Sequence, residues 1–248
     1  DTGKKLVIAD TRLVPDMAAL DPALMTGLPP HVTAATGMDA LTHAVEAFVG
    51  RWANAHTDRM ALAAVGIVYD KLRVAYRQPK DLEARQQMAL AATWAGLAFT
   101  RANVGYVHAI AHQLGGKYHV PHGLANAIML PHVLRYLSPA ITKRLALLAV
   151  KAGVGRASER PAALAKKFVD SVDALNRELG IPAQVDALRE EDIPALAKAA
   201  CWEADTNYPV PRYMSPDTCA GILRAVLPAK SAPRTPRTAG KAARPRRA

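Results

Sequence analysis

Cysteines, aromatic side chains and long apolar runs are all scarce in this sequence. The two cysteines, Cys201 and Cys219, form no metal-type pattern and no disulfide framework. That excludes a small disulfide-stapled scaffold and fits a reducing cytoplasm. Aromatic residues are 5% of the chain while Ala and Leu abound, which favours packed helices over a β-sandwich. No run of about 18 apolar residues occurs, so no membrane span is expected, and no secretory signal is visible. Acidic residues are missing from residues 230–248, "KSAPRTPRTAGKAARPRRA", which carry seven Lys or Arg. Removing those seven from the formal net charge of +11 leaves +4 for the rest of the chain. With three prolines and no apolar periodicity, this tail is expected to be disordered. No aromatic residues interleave its charges to stack on bases, so it is read as a solvated extension and not as a specific nucleic-acid site.

What is present is enough apolar chain for one or two domains: 248 residues, 50% of them hydrophobic. The first residue is Asp1 and not Met, and the chain is expected to begin partway through a longer one. "KKLVIAD" (4–10) has β character, and "MAALDP" (17–22) reads as a second strand or an extended link. Two strands are too few for a sheet domain of their own and suggest the trailing edge of one. From Thr33 to about Leu227 the texture is helix after helix, broken at Pro and Gly. The pattern predicts helices over about 33–49, 56–76, 81–99, 103–115, 122–136, 139–152, 160–179, 192–204 and 215–226, with connectors at 179–185 and 207–216.

Four of the eight histidines fall within "VHAIAHQLGGKYHVPHG" (107–123). His108 and His112 are one helical turn apart, as are Asp39 and His43 in "GMDALTHAVEAF", with Glu46 three residues further. Two helices that each present such a pair can bracket a cation. Imidazole with carboxylate suits Zn²⁺, Fe²⁺ and similar ions. Spacing alone leaves a metal site and ordinary surface pairs both open, and does not say which histidines would be ligands.

The stretches "LDPALMTGLPPHVTAATGMDALTHAVEAFV" and "GYVHAIAHQLGGKYHVPHGLANAIMLPHV" resemble the signature segments of the iron-containing alcohol dehydrogenase family, and "YPVPRYM" continues the likeness, which covers about residues 3–228. The resemblance implies a mainly α fold: the helical bundle domain of that family over residues 31–228. Residues 1–30 would then be a short β remnant of an α/β nucleotide-binding domain, and residues 229–248 a disordered basic tail. It also implies one divalent metal held by Asp39, His43, His108 and His122. His112 would be a non-ligand catalytic residue beside nicotinamide and substrate, and Lys5 a contact on the nicotinamide-side ribose. His31, His56, His119 and His132 match no functional position and are read as loop or helix-surface residues.

The function so implied is NAD(P)-dependent, metal-assisted hydride transfer between nicotinamide and a small primary alcohol, diol or aldehyde. The expected cofactors are Fe²⁺, with Zn²⁺ an equally suitable ion for this ligand set, and NAD or NADP. A homo-oligomer is expected, with no membrane and no specific nucleic acid as partner. A non-catalytic metal-binding helical domain is the alternative. The family's glycine-rich phosphate turn has no counterpart here, since "GVGRAS" (153–158) reads as a helix stop. The chain by itself is therefore expected to show little NAD-dependent turnover. Phe48, Trp52, Trp94, Phe99 and Tyr106 are candidates for pocket walls or, for most of them, core packing.

Overall fold

A computed structural model of the protein describes residues 10–228. The β reading of residues 4–9, the contact assigned to Lys5 and the basic tail lie outside the described residues. Within them the chain forms eight α-helices and no strand: α1 (Pro30–Val49), α2 (Ala55–Arg77), α3 (Leu82–Ala102), α4 (Tyr106–Tyr118), α5 (His122–Lys151), α6 (Pro161–Glu178), α7 (Ile193–Asn207) and α8 (Pro216–Ala225). "MAALDP" is an extended link. The Asp21 side chain ends it by accepting from the Ala23 N–H, which caps a short 3₁₀ turn at Pro22–Met25. No helix among the described residues is long and apolar enough to cross a membrane.

Local chemistry sets most boundaries. Asn54, Asp81 and Ser215 cap α2, α3 and α8 with side-chain oxygens, satisfying N–H groups that a first turn leaves without partners. Helices α5 and α6 end on Gly153 (φ +72°) and Gly180 (φ +69°). There the next residue donates back to a carbonyl five positions earlier, Val154 to Ala149 at 3.0 Å and Ile181 to Asn176 at 2.9 Å. This closure needs a left-handed residue, which glycine adopts without strain.

The two helices expected over 122–136 and 139–152 are joined across a kink inside α5, just after Pro139. The break in dihedral angles falls at Ile141 (φ −123°, ψ 20°), two residues later. Proline costs the helix a donor and crowds the carbonyl four residues back, so the helix bends and continues.

Helix α1 is the axle of the bundle. It packs on α2, α3 and α5, while α4 bridges α5 and α7, and α8 closes on α7. Thirteen of its residues are buried, among them Met38, Leu41, Val45 and Phe48. A helix buried on nearly every side is expected to be apolar all round. Helix α1 nevertheless carries Asp39, His43 and Glu46 inward, and each such group requires a partner. Its C-terminal end is tied by Arg144 of α5. That guanidinium lies 3.6 Å over the Phe48 ring, donates to the Phe48 carbonyl at 2.9 Å and to Asp58 at 2.8 Å.

Candidate functional site

The polar residues of α1 meet the histidines of α4 and α5 at one point. A ligand atom from each of Asp39, His43, His108 and His122 lies within 4.8 Å of the other three. Asp39 is the hub: its carboxylate oxygens are 3.6 Å from His122 Nε2, 3.9 Å from His108 Nε2 and 4.0 Å from His43 Nδ1. His43 and His108 stack at 4.5 Å between ring centroids, and His108 and His122 approach to 5.3 Å. A single ion with bonds of ~2.0–2.2 Å spans at most ~4.4 Å between opposite donors, so the four side chains would close only slightly to share one.

Each approach has a local cause. One helical turn puts Asp39 and His43 on the same face of α1. Helix α4 starts on Gly105, which has no capping side chain, so its first N–H groups need an acceptor from elsewhere. Glu46 of α1 supplies it, accepting from Gly105 N at 2.9 Å and Val107 N at 2.8 Å. The same carboxylate meets His108 Nδ1 at 2.6 Å, which leaves Nε2 as the nitrogen on the Asp39 side. A Cβ at position 105 would stand 2.9 Å from Glu46 Oε1, so glycine is what lets this carboxylate reach the helix start. Helix α5 starts at His122, directly after Pro121. A Cβ at Gly123 would stand 2.4 Å from the Ala35 carbonyl, so the first turn of α5 lies on α1 only because Gly123 has none. Asn126, one turn on, donates from Nδ2 to Asp39 at 2.6 Å and is 3.1 Å from His122 Nε2.

The electrostatics favour a cation. Burial pushes His43 down to about 4, and neighbouring His108 adds to the shift against the pull of Asp39 and Glu46. Its imidazole is neutral near pH 7, the form that binds metals. Burial raises Glu46 to about 7, opposed by the N–H donors at the start of α4. Imidazole nitrogens gathered around a carboxylate are a donor set that suits a divalent ion.

His112 lies outside the cluster of four but against it. Its ring stacks on His122 at 5.4 Å and 14°, and its Nδ1 is 2.6 Å from Glu203 of α7. The other four histidines stay apart from the cluster. His31, His56 and His119 are exposed, and His132 is half-buried on α5, which places it deeper than the helix surface expected for it. Of the aromatic candidates, Phe48 and Tyr106 are core residues, and Trp52 and Trp94 are exposed. Phe99 alone joins the site, stacked on His43 at 4.4 Å. Sequence reading missed Asn126 and Glu203, and it saw Glu46 only as an acid in register with His43. The contacts that bring them to the site, Asn126 to Asp39, Glu203 to His112 and Glu46 to His108, span tens of residues.

The chain is 41% identical over 226 residues to the 1,3-propanediol dehydrogenase of Klebsiella pneumoniae, covering 90% of this chain and 58% of that one. It is 41% identical over 206 residues to the lactaldehyde reductase of Escherichia coli (strain K12), covering 82% and 53%. The chain thus spans little more than half the length of these relatives. A crystal structure of a 1,3-propanediol oxidoreductase superposes with a TM-score of 0.80 at 41% identity, over 84% of this chain and 55% of that one. Residues 33–227 match the C-terminal model of the Fe-containing alcohol dehydrogenase family, and the chain belongs to that family.

Proposed function

We propose that residues 31–228 are the metal-binding catalytic domain of an NAD(P)-dependent alcohol dehydrogenase acting on a small primary alcohol, diol or the corresponding aldehyde. The observation that carries this reading is the convergence of Asp39, His43, His108 and His122, with donor atoms within 4.8 Å of one another, beside a histidine that is not part of the cluster. The donor set fits Fe²⁺, the metal of the family's name, and would hold Zn²⁺ as readily. A divalent cation there supplies Lewis acidity to a hydroxyl or carbonyl oxygen, and a nicotinamide supplies the redox chemistry.

The protein's own part is positioning and proton handling. Glu46 orients His108, and Asn126 orients Asp39, so two of the four ligands are held before an ion arrives. Phe99 covers the outer face of the His43 ring and limits water there. His112 takes the proton of the substrate hydroxyl in oxidation and returns it in reduction. The protein, expressed with any residues its reading frame places before Asp1, is loaded with Fe²⁺ and assayed with NAD and NADP on 1,3-propanediol, 1-propanol and lactaldehyde. The expected result is turnover that a chelator removes and Fe²⁺ or Zn²⁺ restores. Metal loading without turnover on any short alcohol or aldehyde would favour a non-catalytic metal-binding domain.

A further inference from the structure

Glu203 belongs to no part of the cluster of four. It sits on α7, 91 positions from the histidine it touches. We propose that Glu203 is a positioning residue for His112, holding its Nδ1 as a proton donor so that Nε2 is kept as the acceptor for the substrate's proton. The proposal rests on the reading of His112 as the proton-transfer group.

The geometry is that of a carboxylate with every oxygen engaged. Oε1 lies 2.6 Å from His112 Nδ1 and accepts from the Tyr208 hydroxyl at 2.7 Å. Oε2 accepts from Gln113 Nε2 at 2.7 Å. Gln113 and Tyr208 both donate to Glu203, so its two oxygens serve as acceptors. Under the proposal that role extends to the third contact, and the proton between Nδ1 and Oε1 lies on the imidazole. A neutral imidazole protonated at Nδ1 has its lone pair at Nε2. The ring cannot turn freely, because it stacks on His122 at 14°.

The side chains of His112 and Glu203 are 12% and 19% exposed, so the pair is more than a screened surface contact. A simple tie between α4 and α7 needs only the Gln113 contact. The second oxygen is spent on a ring that lies against the cluster. In the oxidation direction the hydroxyl O–H bond breaks as Nε2–H forms, the hydride leaves carbon for the oxidised nicotinamide, and Glu203 stabilises the resulting imidazolium. In reduction the same proton returns to oxygen.

The test reads the tautomer directly. Histidine labelled with ¹⁵N in the metal-free protein gives long-range ¹H–¹⁵N correlations that identify which ring nitrogen is protonated. His112 is expected as the Nδ1–H form in the native protein and to lose that preference in Glu203→Leu, which offers no acceptor; in Glu203→Gln the amide oxygen can still accept from Nδ1. In the metal-loaded enzyme Glu203→Leu is expected to lower kcat by ~10–100-fold with KM and metal content unchanged, and Glu203→Gln to recover part of the loss. An unchanged His112 tautomer in Glu203→Leu, or an unchanged kcat, overturns the proposal. Native turnover by His112→Ala would overturn the underlying reading and the proposal with it. That failure is distinguishable, because the tautomer would still follow Glu203.

Discussion

The site contains two carboxylate–imidazole pairs of equal length and different consequence. Glu46–His108 and Glu203–His112 are each 2.6 Å, and the two histidines are one turn apart on α4. The first pair is sealed, at 3% and 4% side-chain exposure. The second is partly open, at 12% and 19%. Glu46 is also held by backbone N–H groups at the start of a helix, so it is part of the fold as well as of the site. Glu203 is held by side chains alone. Under the proposed function the same chemical pair would serve a fixed ligand in one case and a ring that exchanges protons with a substrate in the other, and burial, not distance, would separate the two roles.

Substitutions should break the pairs in different ways. The largest effect is expected from His112→Ala, which should lower turnover by ~10²–10⁴-fold while metal content stays native. Parallel metal analysis and kinetics check both halves, and loss of the ion would mean that His112 belongs to the ligand set. Glu46→Gln should act on the metal first, weakening its affinity by ~10–100-fold. It should also cost ~1–3 kcal/mol of stability, because one amide hydrogen must face an N–H donor. Chelator competition and urea unfolding measure the two losses. Glu203→Gln should leave affinity unchanged, and equal metal loss in both variants would erase the distinction.

Gly105→Ala tests the same pair from the other side. The new methyl would meet Glu46 Oε1 at 2.9 Å, with an expected destabilisation of ~1 kcal/mol. The smallest effect concerns a histidine away from the site. Burial, aided by Arg135, lowers His132 below its ordinary 6.5. The unfolded chain therefore takes up this proton first as pH falls. The His132 contribution to stability is intact above pH 6.5 and declines as pH falls below it. Urea unfolding of His132→Gln between pH 5 and 7.5 should show a flatter stability profile than the native protein, and identical slopes would contradict the assignment.

The helices were legible in the sequence because Pro, Gly and capping residues punctuate them. Asn54, Asp81, Gly153 and Gly180 all stand where the chain turns. Pro139 marked the kink inside α5 to within two residues. Asp39, His43, His108 and His112 were legible because helical spacing pairs them locally. Only the family likeness said which of these residues would be ligands, and only it added His122. His122 reaches Asp39 through Gly123, whose missing side chain matters only once α5 lies on α1. Asn126 and Glu203 were illegible for a related reason: an isolated Asn or Glu has no periodicity, and its role exists only in the packed bundle.

Metal stoichiometry tests the central claim most directly. The protein and its His108→Ala and His122→Ala variants are purified, loaded with Fe²⁺ or Zn²⁺, desalted and analysed for bound metal. The account predicts one ion per native chain and loss of that ion in each variant, with far-ultraviolet circular dichroism preserved. Full occupancy in both variants would show that Asp39, His43, His108 and His122 do not form the metal centre.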